Sequence, residues 1–502
     1  MYKNKYTLVL LLTIIFIVRE VRSWALFLDE EMEIPKPKTS RGFSKLTREF
    51  HSSLKNSSSA GSGRDAGEAL FLSNFISHGN ASFKNSPEIW RDLALVKELS
   101  AVRSYSGYLT VNEEFGSNLF FWFFPAAYNP ESAPVMLWLN GGPGTSSLFG
   151  LFVENGPFSI DDAGFLQYRK NAWTLTHSIL YIDSPVGTGF SFTNNDEGYA
   201  RSQDDVSRDL YEALIQFFSV FPEYLPRDFF VAGESYAGKY APAIAYKIMK
   251  ENSRRGSHLR INLKGLIIGS GFTDPYTQND YGEYLYNMGL IDEADMVHFK
   301  NEEEKIRKLI KIQNWRLATE AVQSLILGFP HQERSYFENS THFRFYMNIL
   351  KTTVPQPFKN YAEFVARDDV RKALHVGTQS FTRTSRRVLS HMLPDICKSV
   401  KPAVERLLND DIRMLVYAPQ LDIIVPHTGV DKYVKSLRWV GSKQYLETPR
   451  KVWRVKDEIA GYVKTTRNLV HLVLRNAGHL AAYDQPEWAF EMVNTFTNGD
   501  PF

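Results

Sequence analysis

Short apolar runs, separated by polar loops and helix-like stretches, recur along most of this 502-residue chain. Alternation of apolar and polar positions over 105–111 and 118–124 predicts an antiparallel hairpin. Further apolar runs predict parallel strands near Val135, Ile179, Phe229, Leu263, Met414 and Leu469. Because helical stretches such as 204–218 lie between these strands, the pattern predicts an α/β chain with a doubly wound, mostly parallel sheet.

The segment GESYAGKY, which starts at Gly233, lies between an apolar run at 228–232 and a helix-like stretch at 241–248. This order predicts a strand, a tight turn and a helix. A serine at such a turn is lifted clear of the sheet, with the next backbone NH beside it, as in the nucleophile elbow of α/β-hydrolases. Ser235 is therefore the predicted nucleophile. The alternative is a glycine-bounded surface turn that holds an ordinary serine.

A serine nucleophile needs a base to accept its proton and a carboxylate to orient that base. In the nucleophile-elbow fold these residues follow in the order Ser, Asp, His. Asp422 comes just after the buried run 412–417, and His479 follows the run 469–475 in the same way. They are the predicted acid and base. His471 lies inside its strand and is predicted to be a packing residue.

A glycine-rich loop, NGGPGTSS, opens at Asn140 directly after the strand-like run 134–139. In a hydrolase, such a loop supplies backbone NH groups to the oxyanion of the tetrahedral intermediate. We predict that the NH groups of Gly142 and Tyr236 form this oxyanion hole. A phosphate-binding loop is the weaker alternative, because neither a P-loop nor a dinucleotide-binding glycine pattern follows a strand here.

From about residue 104 to residue 502, the chain resembles the serine carboxypeptidase family and, within that family, its vitellogenic-like animal branch. The resemblance rests on NGGPGTSSLFGLFVENGPF from Asn140, YIDSPVGTGFSF from Tyr181, GESYAGKY from Gly233, QLDIIVP from Gln420 and GHLAAYDQP from Gly478. It implies an α/β-hydrolase fold and a triad of Ser235, Asp422 and His479. It also implies that the substrate's terminal carboxylate is held by Asn140, Gly141, Glu154 and Glu234.

The two glutamates of that implied site cannot both stay ionised beside a third carboxylate, because like charges repel strongly at short range. A protonated glutamate can instead donate a hydrogen bond to the substrate. Titration then belongs to the pair of Glu154 and Glu234. The resemblance thus implies removal of C-terminal residues from peptides and proteins, favoured at acidic pH. The alternatives are an acyltransferase with the same triad, or a catalytically weak binding or carrier protein that keeps the fold.

Strand patterning vanishes from about 280 to 372, and helical periodicity replaces it. Ile306, Leu309 and Ile310 mark one apolar face, and a second face follows at 318–325. This insertion between two strands is predicted to form a helical lid over the active site. The charged run 302–308 is predicted to be a solvated helix face with Glu303–Arg307 and Glu304–Lys308 pairs.

The sequence departs from the family pattern at a few positions near the predicted site, although no triad residue is lost. A displacement of about 1 Å in loop geometry can lower a rate on the order of a hundredfold. These departures therefore bear on activity more than on fold. They are Thr145, Ser270, Pro419 and the pair Ala481 and Ala482.

The first 23 residues, with Lys3 and Lys5 before an apolar run, predict a secretory signal peptide cleaved before Trp24. An uncleaved membrane anchor is the alternative, and no stable anchor is expected. Residues 24–103 are predicted to be an N-terminal extension or pro-segment with a Ser/Gly-rich linker, ahead of a catalytic domain at 104–502. The glycosylation patterns at Asn56, Asn80 and Asn339 agree with a secreted or lysosomal/vacuolar protein.

The net charge and the cysteine count limit the classes of partner and of covalent cross-link expected for this chain. The chain has 58 Lys and Arg against 56 Asp and Glu, a net charge of +2 that does not indicate a nucleic-acid partner. No metal or cofactor signature is found. Cys397 is the single cysteine of the sequence, so no intrachain disulfide can form and a buried or partly buried free thiol is expected. The expected partner is the C-terminus of a peptide or protein, and homodimerisation is left open.

Overall fold

The computed structural model describes residues 66–77, 91, 93–99, 101–254, 259–328 and 334–502. The described residues from Gly67 to Phe502 belong to one compact unit. The predicted signal peptide, most of the Ser/Gly-rich linker, Asn56 and Asn80 lie outside the described residues.

A ten-stranded sheet forms the centre of the described unit, in the order β1-β2-β6-β3-β7-β8-β9-β12-β11-β10. The strands from β6 to β12 in this order run parallel, and antiparallel strands flank them on both sides. The bounds are β1 (Tyr105–Asn112), β2 (Ser117–Phe124), β3 (Val135–Leu139), β4 (Phe158–Ile160), β5 (Leu166–Tyr168), β6 (Ser178–Ile182), β7 (Phe229–Glu234), β8 (Leu263–Gly269), β9 (Arg413–Pro419), β10 (Lys451–Val455), β11 (Glu458–Thr466) and β12 (Leu469–Leu474).

The predicted hairpin and all the predicted parallel strands are confirmed. Every residue of β2, β3, β6, β7 and β12 is buried, which agrees with their nearly continuous apolar sequences, since central strands are covered on both faces. Two hairpins were not predicted: β4–β5, which forms a separate small sheet, and β10–β11, which extends the main sheet at its edge.

Helices cover the sheet and fill the insertion. The long helix at 203–220 begins at Ser202, whose side chain accepts a hydrogen bond from Asp205 NH, as expected of an N-cap serine. The bounds are α1 (Ser73–Ser77), α2 (Gln203–Val220), α3 (Ala237–Asn252), α4 (Pro275–Gln278), α5 (Gly282–Asn287), α6 (Glu293–Lys311), α7 (Trp315–Val322), α8 (Tyr336–Thr341), α9 (Pro357–Ala366), α10 (Asp368–Ala373), α11 (Arg386–Ile396), α12 (Lys401–Asn409), α13 (His427–Lys435), α14 (Ser442–Glu447), α15 (Ala481–Asp484) and α16 (Pro486–Asn498).

The insertion between β8 and β9 is helical, as predicted, and α11 and α12 extend it beyond the expected end near residue 372. Its apolar residues form a core of their own, which includes Phe299, Ile306 and Cys397. The core also takes in Ile423, which belongs to the loop after β9. The insertion is thereby packed against a loop of the catalytic sheet.

One predicted ion pair in the insertion is wrong. Glu303 does not face solvent; it is buried, and its Oε1 accepts hydrogen bonds from Tyr281 N at 2.7 Å and Gly282 N at 2.8 Å. Arg307 instead lies 3.2 Å from Glu304. The unpaired NH groups at the start of α5 provide the physical reason, because a buried carboxylate satisfies donors that would otherwise lack partners.

Part of the predicted N-terminal extension packs on the sheet. Leu72 N donates to Tyr108 O at 3.0 Å, and Tyr108 N donates to Leu70 O at 2.8 Å. Leu70 N also donates to His375 O, 3.0 Å away in the insertion. The stretch from Gly67 to Ser77 therefore connects β1 with the insertion.

No helix within the described ranges is long and apolar enough to cross a membrane.

Candidate active site

Ser235 lies in the sharp turn between β7 and α3, with a positive φ of 61°. The turn is crowded, since a Cβ at Gly233 would lie 2.5 Å from Ala237 O. The Ser235 carbonyl accepts hydrogen bonds from Gly238 N and Phe272 N, both at 2.9 Å. The side chain is partly exposed. This is the strained strand–turn–helix geometry that the sequence predicted for a nucleophile.

Asp422 and His479 are brought together by the loops that follow β9 and β12. His479 Nδ1 lies 2.7 Å from Asp422 Oδ2, and both side chains are buried. Because a carboxylate only accepts hydrogen bonds, Nδ1 carries the proton and Nε2 is left as the basic nitrogen. Burial raises the pKa of Asp422, while the neighbouring His479 and NH groups such as Val425 N act in the opposite direction.

Ser270 connects the nucleophile turn with the histidine loop. Ser235 N donates to Gly269 O at 3.1 Å, and the next residue, Ser270, donates from its hydroxyl to His479 O at 2.7 Å. Ser270, a departure from the family pattern, is thus hydrogen-bonded to the loop that bears the predicted base.

The other departures fit the local structure. Thr145 Oγ1 lies 3.3 Å from Thr384 Oγ1, which joins the glycine-rich loop to the insertion. Pro419 is the last residue of β9. Ala481 and Ala482 are buried at the start of α15. Each of these positions is thus packed or hydrogen-bonded without displacing the Asp422–His479 contact.

The glycine-rich loop packs directly on the nucleophile turn. A Cβ at Gly141 would lie 2.4 Å from Tyr236 N and 3.0 Å from Ser235 Cβ, so only glycine permits this approach. Gly142 follows with a positive φ of 110°. Within the described part of the chain, the backbone NH groups of Gly142 and Tyr236 have no hydrogen-bond acceptor. Two free donors beside Ser235 are what an oxyanion hole requires.

The side chain of Asn140 is buried with its amide orientation fixed. Its Oδ1 accepts from Trp138 Nε1 at 2.8 Å and from Gly150 N at 2.9 Å. Its Nδ2 therefore carries the donors, and it donates to Glu154 Oε1 at 3.1 Å. Asn140 connects the end of β3 with the π-helical turn Gly150–Asn155, on which Glu154 lies.

Glu154 and Glu234 form a buried carboxyl pair next to Ser235; each is 1% exposed. Burial raises the pKa of both, and that of Glu234 rises further because Glu154 is close. The Oε2 atom of each carboxyl is buried and has no hydrogen-bond partner among the described residues. Two ionised carboxylates in one buried site repel each other strongly, so this environment favours a proton on the pair.

Two further buried groups brace the site and were not identified from the sequence. Asp183, which follows β6, accepts from Ser146 Oγ at 2.6 Å and Ser147 N at 2.9 Å and so holds the glycine-rich loop. Its carboxyl pKa is raised to about 6 by burial, although these donors lower it. Its place just after a buried strand, like that of Asp422, is the signal that could have found it.

The second group fixes the ring of Tyr236, whose NH faces the nucleophile turn. Tyr236 OH donates to Asp395 Oδ2 at 2.9 Å, and the buried Lys239 Nζ lies 3.6 Å from the same oxygen. Asp395 lies on α11 of the insertion, so the pairing depends on tertiary structure and has no local sequence signal. His471 and Cys397 are buried, as predicted.

No group of three or more His, Cys, Asp or Glu residues in the described ranges is arranged to hold a metal ion.

Known proteins are similar in sequence to this chain over most of its length. A family model described as serine carboxypeptidase matches residues 95–499. The venom serine carboxypeptidase of Apis mellifera is 43% identical over 439 residues, covering 87% of this chain and 92% of the relative. The probable serine carboxypeptidase CPVL of Homo sapiens is 43% identical over 447 residues, with the same coverage. The vitellogenic carboxypeptidase of Aedes aegypti is 40% identical and covers 86% and 91%.

A solved structure gives the same result. The prohormone-processing carboxypeptidase Kex1 of Saccharomyces cerevisiae is similar to this chain with a TM-score of 0.70 and 26% identity. The likeness covers 82% of this chain and 94% of the solved yeast chain. The fold is therefore the α/β-hydrolase fold expected from the sequence. This chain belongs to the serine carboxypeptidase family of hydrolases.

Proposed function

We propose that this protein removes single C-terminal residues from peptides through an acyl-enzyme formed on Ser235, with His479 as base and Asp422 as its orienting carboxylate. The observation that carries the exopeptidase assignment is the buried Glu154–Glu234 pair beside the nucleophile turn, whose burial raises both carboxyl pKa values and so favours a proton on the pair. Together with Asn140 and the Gly141 NH, it offers hydrogen-bond donors to a terminal carboxylate and excludes a second full negative charge.

The proposed reaction begins with attack of Ser235 Oγ on the scissile carbonyl carbon, while His479 Nε2 takes the hydroxyl proton. The carbonyl oxygen becomes an oxyanion, which the NH groups of Gly142 and Tyr236 stabilise. The C–N bond then breaks, and His479 returns its proton to the leaving amine. Asp422 stabilises the imidazolium that forms in between.

Deacylation repeats the same steps with water. His479 takes a proton from a water molecule while the water oxygen attacks the ester carbon. The proton then returns to Ser235 Oγ when the C–O bond breaks. Deacylation releases the shortened peptide, whereas the amino acid that left as the amine during acylation carries the carboxylate that the Glu154–Glu234 pair held. If an amine or an alcohol replaced water in this step, the acyl group would be transferred to it and the protein would act as an acyltransferase.

The direct test incubates the purified protein with N-blocked dipeptides between about pH 4 and 8 and identifies the products by mass. Free C-terminal amino acids, and loss of activity after treatment with a serine-reactive phosphonate, are expected. Transfer products without free acid would favour the acyltransferase. Absence of both products would favour a binding or carrier protein.

The triad assignment is tested by comparing Ser235→Ala, His479→Ala and the double variant. Because triad residues act as a unit, each single change is expected to abolish most turnover, and the double variant should be scarcely worse. Thermal unfolding serves as the control, since the Ser235 hydroxyl contributes little packing. Additive losses, or near-normal rates in Ser235→Ala, would contradict the assignment.

We further propose that the protein enters the secretory pathway and is secreted or lysosomal. Asn339, which belongs to an Asn-Ser-Thr pattern, is exposed on α8, where a glycan would be accommodated. Expression in animal cells should give a chain that begins near Trp24 and gains gel mobility after glycosidase treatment. Asn339→Gln should remove part of that mobility change. A product that retains Met1 and carries no glycan would disprove this route.

A further inference from the structure

Residues 346–351, here called the splint, run between α8 and α9 and contact the loops of both Asp422 and His479. Ile424 N, two residues after Asp422, donates to Tyr346 O at 3.1 Å. His479 N itself donates to Met347 O at 2.6 Å. One segment of the insertion thus accepts hydrogen bonds from the aspartate loop and the histidine loop through consecutive carbonyls.

A third backbone contact returns to the aspartate loop, because Ile349 N donates to Leu421 O at 3.0 Å. The two catalytic loops also contact each other directly, through Leu421 N and Ala477 O at 2.9 Å. The splint is therefore hydrogen-bonded to both of the loops that this Leu421–Ala477 hydrogen bond joins.

Asn348 is the side chain that fixes the splint to the histidine loop. It is 4% exposed, and its Nδ2 donates to Asp484 Oδ2 at 2.8 Å. The same carboxylate oxygen accepts from Gly478 N at 2.8 Å, immediately before His479. Leu350 N donates to Asn348 Oδ1 at 2.9 Å, which fixes the amide orientation. Lys351 Nζ completes the cluster, 3.0 Å from Asp484 Oδ1.

The approach of the splint to the histidine loop leaves no spare volume. A Cβ at Gly478 would lie 2.3 Å from Met347 O and 2.6 Å from Asn348 Cβ. A small displacement of the splint would therefore be transmitted to His479, because both backbones are already in contact.

The aspartate loop is held from the opposite side as well. Ile423, next to Asp422, is fully buried within the apolar core of the insertion. Tyr284 OH of α5 donates to Gln420 O at 2.8 Å. The insertion thus contacts the residues on both sides of Asp422.

We propose that Asn348 and Asp484 are positioning residues, and that the splint sets the placement of His479 relative to Asp422 and Ser235. The inference rests on the proposed function, since it assumes that these three residues are the triad. The physical reason is geometric: a misplacement of about 1 Å in a catalytic group can lower a rate on the order of a hundredfold.

The experiment compares Asn348→Ala with Asn360→Ala as a matched control. Asn360 is also a buried asparagine of the insertion, but its side-chain hydrogen bonds go to Asp161 O at 2.8 Å, Asp162 O at 3.3 Å and Gln356, and to neither catalytic loop among the described residues. For Asn348→Ala we expect kcat to fall at least about tenfold with little change in KM. The rate of inactivation by a serine-reactive phosphonate should fall in parallel, because that reaction needs an aligned base but no terminal carboxylate.

A spectroscopic readout separates positioning from general destabilisation. The proton between His479 Nδ1 and Asp422 should give a low-field NMR signal in the wild type and in Asn360→Ala, and a shifted or broadened signal in Asn348→Ala. Equal kcat, inactivation rate and signal in the two variants would overturn the proposal, as would a change in KM alone.

If Asn348→Ala does not fold, Asn348→Asp keeps the volume but turns the donor into a carboxyl that faces Asp484. It should lower kcat and the rate of phosphonate inactivation in parallel, because Asp484 Oδ2 loses the donor that Asn348 supplied. Unchanged values of both rates in Asn348→Asp would reject the proposal. The proposed function fails separately, if wild-type protein neither reacts with the phosphonate at Ser235 nor releases amino acids.

Discussion

At the scale of single residues, the number of protons held by Glu154 and Glu234 decides whether the proposed site can bind a substrate carboxylate. Asn140 can only donate towards Glu154, because its oxygen is already occupied by Trp138 Nε1 and Gly150 N. Glu234 Oε2 meets no donor among the described residues, and burial beside Glu154 raises the pKa of Glu234 well above the ordinary range. Glu234 is therefore the member of the pair that keeps its proton to the higher pH.

This difference predicts the effect of Glu234→Gln on substrate binding. In the wild type, KM for peptide acids should rise as pH increases from about 5 to 8, because the pair ionises and repels the substrate carboxylate. Glutamine keeps a donor but cannot ionise, so the variant should show a flatter KM profile. Peptide amides and esters are the control, because they lack the terminal charge. A wild-type profile in the variant would refute the carboxylate role.

The same substitution should change stability in a defined direction. Because the folded-state pKa of Glu234 is raised above 4.5, its stabilising contribution is complete below the unfolded pKa and is lost as pH rises through the folded pKa. Glutamine carries no titrating proton, so the variant does not undergo this loss. Relative to the wild type, the Tm of Glu234→Gln should therefore increase between about pH 5 and pH 8. A constant Tm difference across this range would contradict the buried, proton-sharing pair.

At the scale of elements, the glycine-rich loop and the nucleophile turn behave as one unit because Gly141 has no side chain. Gly141→Ala would place a Cβ against Tyr236 N, so the loop or the turn must move. We expect kcat to fall by roughly two orders of magnitude, comparable to losing one oxyanion donor. Gly289→Ala is the control, because the space around Gly289 is open; since its positive φ of 70° strains any other residue, the Tm of both variants is compared together with kcat. Similar kcat values for the two variants would argue against the oxyanion role of this loop.

The sequence predicted those elements whose signal is local. Buried parallel strands have continuous apolar runs, and the turn at Ser235 has the small neighbours that its crowding requires. The order of strand ends predicted that Asp422 and His479 lie close together, and they do, because the carboxyl ends of parallel strands share one edge. The hairpin β10–β11 was missed because its strands alternate exposed and buried positions irregularly, with a register shift between Trp453 and Arg454.

Other features could not be predicted because their partners are distant in sequence. Asp484 and Asn348 are separated by 136 residues, and Tyr236 and Asp395 by 159. Neither pair has a periodicity or motif of its own. The burial of Glu303 was missed for a similar reason: the run 302–308 has the composition of a solvated helix face, and only tertiary packing brings Tyr281 N and Gly282 N to that carboxylate.

At the scale of the whole molecule, the N-terminal region divides at about residue 67. Ser73 Oγ accepts a hydrogen bond from Thr110 N at 2.7 Å and donates to Gln216 Oε1 at 2.5 Å, which links this segment to β1 and α2. Phe71 also stacks on Tyr108, with ring centroids 5.2 Å apart. This segment is packed into the catalytic unit and is expected to stay with the mature enzyme.

Truncation tests this division. A chain that starts at Gly67 should keep activity and Tm close to those of the full protein without its leader. A chain that starts after Ser77 should unfold at a lower temperature, because buried apolar and hydrogen-bonding groups on β1 lose their partners. Thermal unfolding and hydrolysis of an N-blocked dipeptide provide the measurements. Equal Tm values for the two truncations would disprove the structural role of the segment.

Ile423 has a consequence for engineering, because it belongs both to the loop after β9 and to the packed interior of the insertion. The insertion is consequently not a self-contained cassette that can be grafted between relatives to exchange specificity. A chimera that imports the foreign helices must also import a matching side chain at position 423. Otherwise the donor interior is left with a void or a clash one residue from Asp422. Recombination boundaries should therefore be drawn beyond this loop, after Val425.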